Sequence, residues 1–145
     1  MILRHAKDCT WDGVPVLPYK EDGTIFKSVT RQVLFDGTGD LPVQFRYFEV
    51  GPRGHSTLER HQHQHAVMVI RGSGRVLVGD TVHEIGMRDV VHIPPMTWHQ
   101  FRAPEDGPLG FLCVVAADRD RPQRPSSEEF ATLSRLPGVG DFIRV

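Results

Sequence analysis

No apolar run in the 145 residues approaches the roughly 20 needed to cross a bilayer as a helix. The opening "MILRHAKDCTWDG" has no basic stretch leading into an apolar segment of the kind that directs secretion. Membrane insertion is therefore not expected, and the cytoplasm is the expected location. Cysteine is scarce: Cys9 and Cys113 lie far apart in unlike contexts, which argues against a disulfide framework and for two free thiols. An excess of either charge is also lacking, with 17 Lys and Arg against 18 Asp and Glu and a formal net charge of -1. Such a balance supplies no basic stripe for nucleic acid and no acidic interaction arm. Internal repeats and low-complexity segments are missing, as is convincing helical periodicity before residue 120. The length suits one domain with one core.

What the chain has instead is a series of short apolar or alternating runs punctuated by Gly, Pro and Asp. They are "IFKSVTRQVLF" (25–35), "VQFRYFEV" (43–50), "AVMVI" (66–70), "RVLVG" (75–79), "TVHEI" (81–85), "DVVHIP" (89–94), "HQFRA" (99–103) and "LGFLCVV" (109–115). This spacing predicts an all-β antiparallel sandwich or barrel. Gly79-Asp80 is read as a tight hairpin, and "GSG" at 72–74 as the turn before it. The barrel is expected over residues 25–117, preceded by an arm or edge strand over 1–24. A charged, Pro-rich connector begins at 118, and within the segment 118–145 Ser126 with Glu129 matches a capping box for a helix from about 127 to 135.

One stretch stands out chemically. "ERHQHQH" (59–65) places imidazoles at every second position directly before "AVMVI", which is apolar at both parities and so reads as covered on both faces. Each buried neutral imidazole has a donor and an acceptor to satisfy, and a metal ion satisfies one nitrogen per ring. Residues on one strand face stand roughly 6.6 Å apart, whereas imidazole nitrogens lie about 2.0–2.1 Å from zinc. Two neighbours reach one ion, but three on a straight strand do not. Either the chain bends near Gln62 to Gln64 or only two of His61, His63 and His65 ligate. His99, in "IPPMTWHQF", follows a Pro-Pro turn, opens a strand and is the candidate ligand from elsewhere in the chain.

These residues make the chain resemble a small single-domain cupin, a conserved β barrel of jelly-roll topology. "GHSTLERHQHQHAVMVIRG" (54–72) is similar to the first cupin motif, G-x5-H-x-H-x3,4-E-x6-G. "RDVVHIPPMTWHQFRA" (88–103) is similar to the second, G-x5-P-x-G-x2-H-x3-N. His65 stands where cupins usually carry Glu, and the spacer before it is two residues short. Two alignments follow. One pairs His61 with His63 and implies the ligands His61, His63, His65 and His99, which is the favoured set because two adjacent His form a chelate. The other keeps the spacing and implies Glu59, His61, His65 and His99, with His63 in a loop. In the second motif Arg88 and Met96 replace glycines and Ala103 replaces Asn, so Pro94 and His99 carry the match.

The all-His shell resembles a four-His cupin group that binds manganese or another divalent ion and is associated with oxidative chemistry. The resemblance implies one divalent metal ion as cofactor, whether Mn, Fe, Ni, Zn or Cu, since imidazole suits several of these metals. It implies a metal-dependent oxidoreductase of dioxygenase type acting on a small organic molecule. The alternatives are a metal-dependent isomerase or lyase and a non-catalytic sugar-binding cupin. Phe101, Cys113, His92 and Arg71 are the expected pocket residues, and Arg46, Arg71 and Arg102 are candidates to hold a carboxylate or phosphate. His5, His55 and His83 are read as surface residues. A homodimer is expected, because "AVMVI" has two apolar faces to cover.

Overall fold

Period-two alternation decides which side chains fill the barrel. In a computed structural model, which describes residues 1–20 and 25–145, eight strands and one helix follow in chain order. They are β1 (Leu17–Pro18), β2 (Lys27–Thr38), β3 (Leu41–His55), β4 (His65–Val78), β5 (Thr81–Gly86), β6 (Val90–Ile93), β7 (His99–Arg102), β8 (Leu109–Ala116) and α1 (Ser127–Ser134). All pairings are antiparallel. β3 pairs β2 on one side and β8 on the other, and β8 also pairs the first half of β4. β4 pairs β6 along its start and β5 and β7 along its end, while β7 returns to β3 at His55↔Arg102. The ring β3-β7-β4-β8-β3 closes the barrel, and among the described residues β1, β5 and β6 are each paired on one side only.

Inward residues recur at alternate positions, as the pleat requires. Phe48 and Val50 from β3, Val67 and Val69 from β4, Phe101 from β7 and Phe111, Cys113 and Val115 from β8 form the main core. A second core lies outside the barrel, where Leu58 and Leu77 meet Leu133, Val139, Phe142 and Ile143 of the C-terminal segment. Ser126 caps α1 with the expected reciprocal bonds to Glu129. The Gln100 amide donates to the carbonyls of Ser56 and Arg144, each at 2.8 Å, fastening the chain end to the strand that carries His99.

The expected turn at 72–74 is not formed. β4 runs through the glycines with a bulge between Val69 and Arg71, and the glycines serve close strand crossing instead. Gly72 has φ 64°, and a Cβ there would lie 2.0 Å from the Pro108 carbonyl oxygen; one at Gly74 would lie 2.5 Å from that of Arg102. The Gly79-Asp80 hairpin is present, with Val78 facing Thr81.

Residues 8–18 lie over the outside of β2 to β4, whereas Tyr19 and Lys20 reach the barrel interior. β1 pairs β2, Cys9 accepts a bond from the Gln32 amide, and Trp11 packs on Tyr47. Among the described residues no helix is long and apolar enough to cross a membrane.

Candidate metal centre

Glu59 and His99 form an antiparallel bridge with both backbone bonds, Glu59 N–H to His99 O at 3.2 Å and His99 N–H to Glu59 O at 3.0 Å. Directly opposed residues point to the same face, so both side chains enter the barrel. The chain then bends at Gln62 and His63, the first of the two alternatives that strand spacing left open, before β4 begins at His65. Asp120 holds the bend. Its carboxylate accepts the backbone N–H groups of Gln62 at 2.8 Å and His63 at 3.0 Å, and the His63 Nδ1–H at 2.7 Å.

The bend brings together the donor nitrogens of His61, His65 and His99, which all lie within 4.8 Å of one another. His61 and His99 are almost fully buried. Each has its tautomer fixed by the backbone: His61 Nδ1–H donates to the His63 carbonyl at 2.6 Å, and His99 Nδ1–H to that of Thr97 at 2.9 Å. Both rings therefore present an unprotonated Nε2, the arrangement by which outer hydrogen bonds orient metal-binding imidazoles. His61 Nε2 is buried with no hydrogen-bond partner among the described residues. Two imidazoles with fixed tautomers and a third, His65, with its donor nitrogen within 4.8 Å of theirs fit a divalent metal ion.

Electrostatics keeps these rings neutral. Burial first, then the neighbouring His99 and His63, lowers the His61 pKa from its ordinary 6.5 to about 4. Burial followed by His99 pushes His65 well below the usual imidazole range. His99 is lowered by burial as well, and the Glu59 carboxylate opposes the shift.

His63, expected beside His61 in the favoured ligand set, is not among the three converging rings. It stacks flat on His61 with centroids 3.6 Å apart while its Nδ1 faces Asp120. The bend that lets His61 and His65 converge directs the His63 Nδ1 to Asp120 while the His63 ring stays on the cavity wall, 5.3 Å from that of His65. Glu59, from the alternative set, is buried and ion-paired to Lys20.

The centre lies on the wall of a cavity of about 220 Å³. Phe101 and Cys113 line it, Phe101 stacked on Phe111 with centroids 4.4 Å apart. Burial pushes the Cys113 thiol up, against the lowering effect of Arg46. Two expected pocket residues lie elsewhere. His92 sits on the outer face of β6, because Val91 and Ile93 take the inward positions, and its Nε2 meets Gln64 Oε1 at 2.7 Å. Arg71 is turned outward beyond the β4 bulge, where it bonds Glu49 Oε2 at 2.8 Å and the Asp8 carbonyl at 3.1 Å. Arg102 binds the Phe142 carbonyl in the C-terminal segment. Of the three arginines singled out from the sequence, Arg46 alone faces the cavity.

Lys20, Arg31 and Arg119 also line it and were missed. The alternation of Val29 and Arg31 along β2 was a usable signal for Arg31; Lys20 and Arg119 come from irregular segments without periodicity. His5 is exposed against Trp11, His83 is exposed on β5, and His55 is half-buried with its Nδ1 at 3.1 Å from the Ser56 carbonyl.

A ring-closed barrel with imidazoles from two motif segments facing its interior defines a cupin, and the chain belongs to the cupin family. The family described as "Cupin domain" matches residues 46–115. A curated relative, the 1-methylthio-D-xylulose 5-phosphate methylsulfurylase of Rhodospirillum rubrum, is 54% identical over 134 residues, 92% of this chain and 85% of the relative. The crystal structure of a cupin 2 conserved barrel domain protein from Rhodopseudomonas palustris is 49% identical, covers 100% of both chains and superposes with a TM-score of 0.94. That of a cupin-2 domain from Rhodospirillum rubrum is 54% identical over 92% of this chain and 89% of the other, with a TM-score of 0.87.

Proposed function

We propose that this protein is a metal-dependent enzyme acting on a small methylthio sugar phosphate, of the kind named in the methylsulfurylase of Rhodospirillum rubrum. The observation that carries the metal assignment is the convergence of His61, His65 and His99, with the buried Nε2 of His61 unpartnered. Glu59 is the fourth donor in preference to His63, because its bridge to His99 directs the carboxylate to the same face while Asp120 engages His63. The relative's substrate favours the isomerase or lyase alternative drawn from the sequence over the dioxygenase one. A divalent ion held here supplies Lewis acidity toward carbonyl and hydroxyl oxygens of a bound sugar.

The protein's own groups do the rest. Lys20 offsets the negative charge of Glu59. The faces of Phe48, Phe101 and Phe111 give an apolar wall that suits a methylthio group. Metal-loaded protein given 1-methylthio-D-xylulose 5-phosphate and the small-molecule fraction of a cell extract is expected to consume the ester, followed by ³¹P NMR, and His99→Ala is expected to abolish consumption. Equal consumption by that variant, or none by the loaded wild type, contradicts the assignment.

A homodimer is part of the same proposal. On the outer face Met68 lies between Val90 and Leu112, and Ala66 lies beside Val114. Met68, Val90 and Val114 are exposed, and a second copy is the proposed cover.

A further inference from the structure

Among the described residues, the charges lining the cavity do not balance. Its lining contains four cations, Lys20, Arg31, Arg46 and Arg119, and one carboxylate, Glu59, which Lys20 engages. None of the three arginines has an ion-pair partner among the described residues. Arg46 is 8% exposed; its Nη2 donates to the neutral Cys113 sulfur at 3.5 Å, and its guanidinium lies 4.8 Å over the Phe48 ring. The Nε groups of Arg31 and Arg46 are buried without hydrogen-bond partners among the described residues. Arg119 is held in place by its own bonds, to the carbonyls of Ala116 and Ala117 at 3.0 and 3.1 Å and to Gln44 Oε1 at 2.8 Å.

The register gathers these groups on one wall. Arg31 lies opposite Phe48 on β3, Arg46 lies opposite Cys113 on β8, and Arg119 follows the end of β8. The imidazoles come from β4, β7 and the bend before β4. Burying like charges together without a counter-ion is unfavourable, and the crowding registers in Arg119, whose pKa is lowered by burial first and by Arg46 next. A bound dianion relieves it. Guanidinium groups match phosphate oxygens with forked, charge-assisted hydrogen bonds.

We infer that Arg31, Arg46 and Arg119 form a phosphate subsite on the β2–β3–β8 wall, which fixes the direction in which a sugar phosphate lies: phosphate on the arginines, the far end of the sugar toward the His centre. This rests on the reading of the cavity as a substrate site. It adds the residues that select a phosphorylated over an unphosphorylated ligand.

The test is calorimetric titration of full-length protein, with and without bound divalent metal, using D-xylulose 5-phosphate and D-xylulose as probes. The ester is expected to bind at least about tenfold more tightly than the free sugar. Arg31→Gln and Arg119→Gln are each expected to weaken ester binding roughly tenfold, with xylulose binding and metal content unchanged. Both positions are less buried than Arg46, and a melting curve for each variant confirms folding before its affinity is read. Equal affinity for the two probes in metal-loaded protein, or ester binding unaffected by both variants, overturns the subsite while leaving the metal assignment standing. Phosphate-dependent binding in a protein that takes up no metal supports the subsite and contradicts the metal assignment.

Discussion

Between Glu59 and His65 every second residue is a potential ligand, and the backbone gives these residues different surroundings. His61 and His99 have Nδ1 tied to carbonyls, His63 has Nδ1 tied to Asp120, and Glu59 meets Lys20. Replacing His63 by Ala is therefore expected to weaken metal binding only a few-fold, whereas Glu59→Gln weakens it more, roughly 10- to 100-fold. Competition with a chromogenic chelator measures both, and the reverse order restores the four-His set. Acid acts on the same rings. Metal-free folded protein keeps His61 neutral down to about pH 4, whereas the unfolded chain takes up that proton below the ordinary imidazole pKa of about 6.5. The unfolded state therefore binds more protons between these values, so stability falls as pH drops through that window. A decrease of about 5 °C or more in Tm from pH 7 to pH 5 is expected for metal-free protein; an unchanged Tm contradicts buried neutral imidazoles.

At the scale of elements, the second motif departs from its family in side chains while keeping the backbone. Arg88 and Met96 occupy positions where cupins usually have glycine, and both retain left-handed φ, 75° and 54°. The Met96 N–H donates to the His61 carbonyl at 2.7 Å, so this strained turn connects the two ligand-bearing segments. Left-handed conformation costs an L-residue roughly 1 kcal/mol, and Met96→Gly is expected to raise stability by about that amount in urea unfolding. Opposite in sign is Gly110→Ala, since the added Cβ would lie 2.1 Å from Tyr47 Oη and 2.9 Å from Arg71 Cβ. A loss of about 1–3 kcal/mol is expected in the same assay. The sequence made the strands legible wherever apolar alternation was uninterrupted, from β2 to β8. It misread Gly72-Ser73-Gly74 because glycine permits a turn and a close strand crossing alike, and only the position of Pro108 and Arg102 distinguishes them.

Across the whole molecule, a bend in "HQHQH" was one of two alternatives readable from strand spacing, but what holds the bend was not readable. Asp120 reaches back from a connector more than 50 residues away, and no local pattern marks such a contact. Charge balance over the full chain likewise concealed the cationic cavity, because 17 basic and 18 acidic residues sum to nearly zero however they are distributed in space. The C-terminal segment packs on the barrel. Phe142 is almost completely buried in the second core beside Leu58 and Leu77, and Phe142→Ala is expected to cost about 3–5 kcal/mol, read by urea unfolding. Sedimentation tests the proposed dimer: twice the monomer mass for the wild type and a shift toward monomer for Met68→Lys are expected, and a wild-type monomer contradicts it.

The most direct measurement is metal content by mass spectrometry after the purified protein is supplemented with divalent manganese, iron, nickel, zinc and copper in turn and desalted. One equivalent per chain of at least one metal is expected for the wild type, with loss in both His61→Ala and His99→Ala variants that remain folded. Failure of the wild type to retain any of the five, or retention undiminished in those variants, would contradict a metal centre built on His61, His65 and His99.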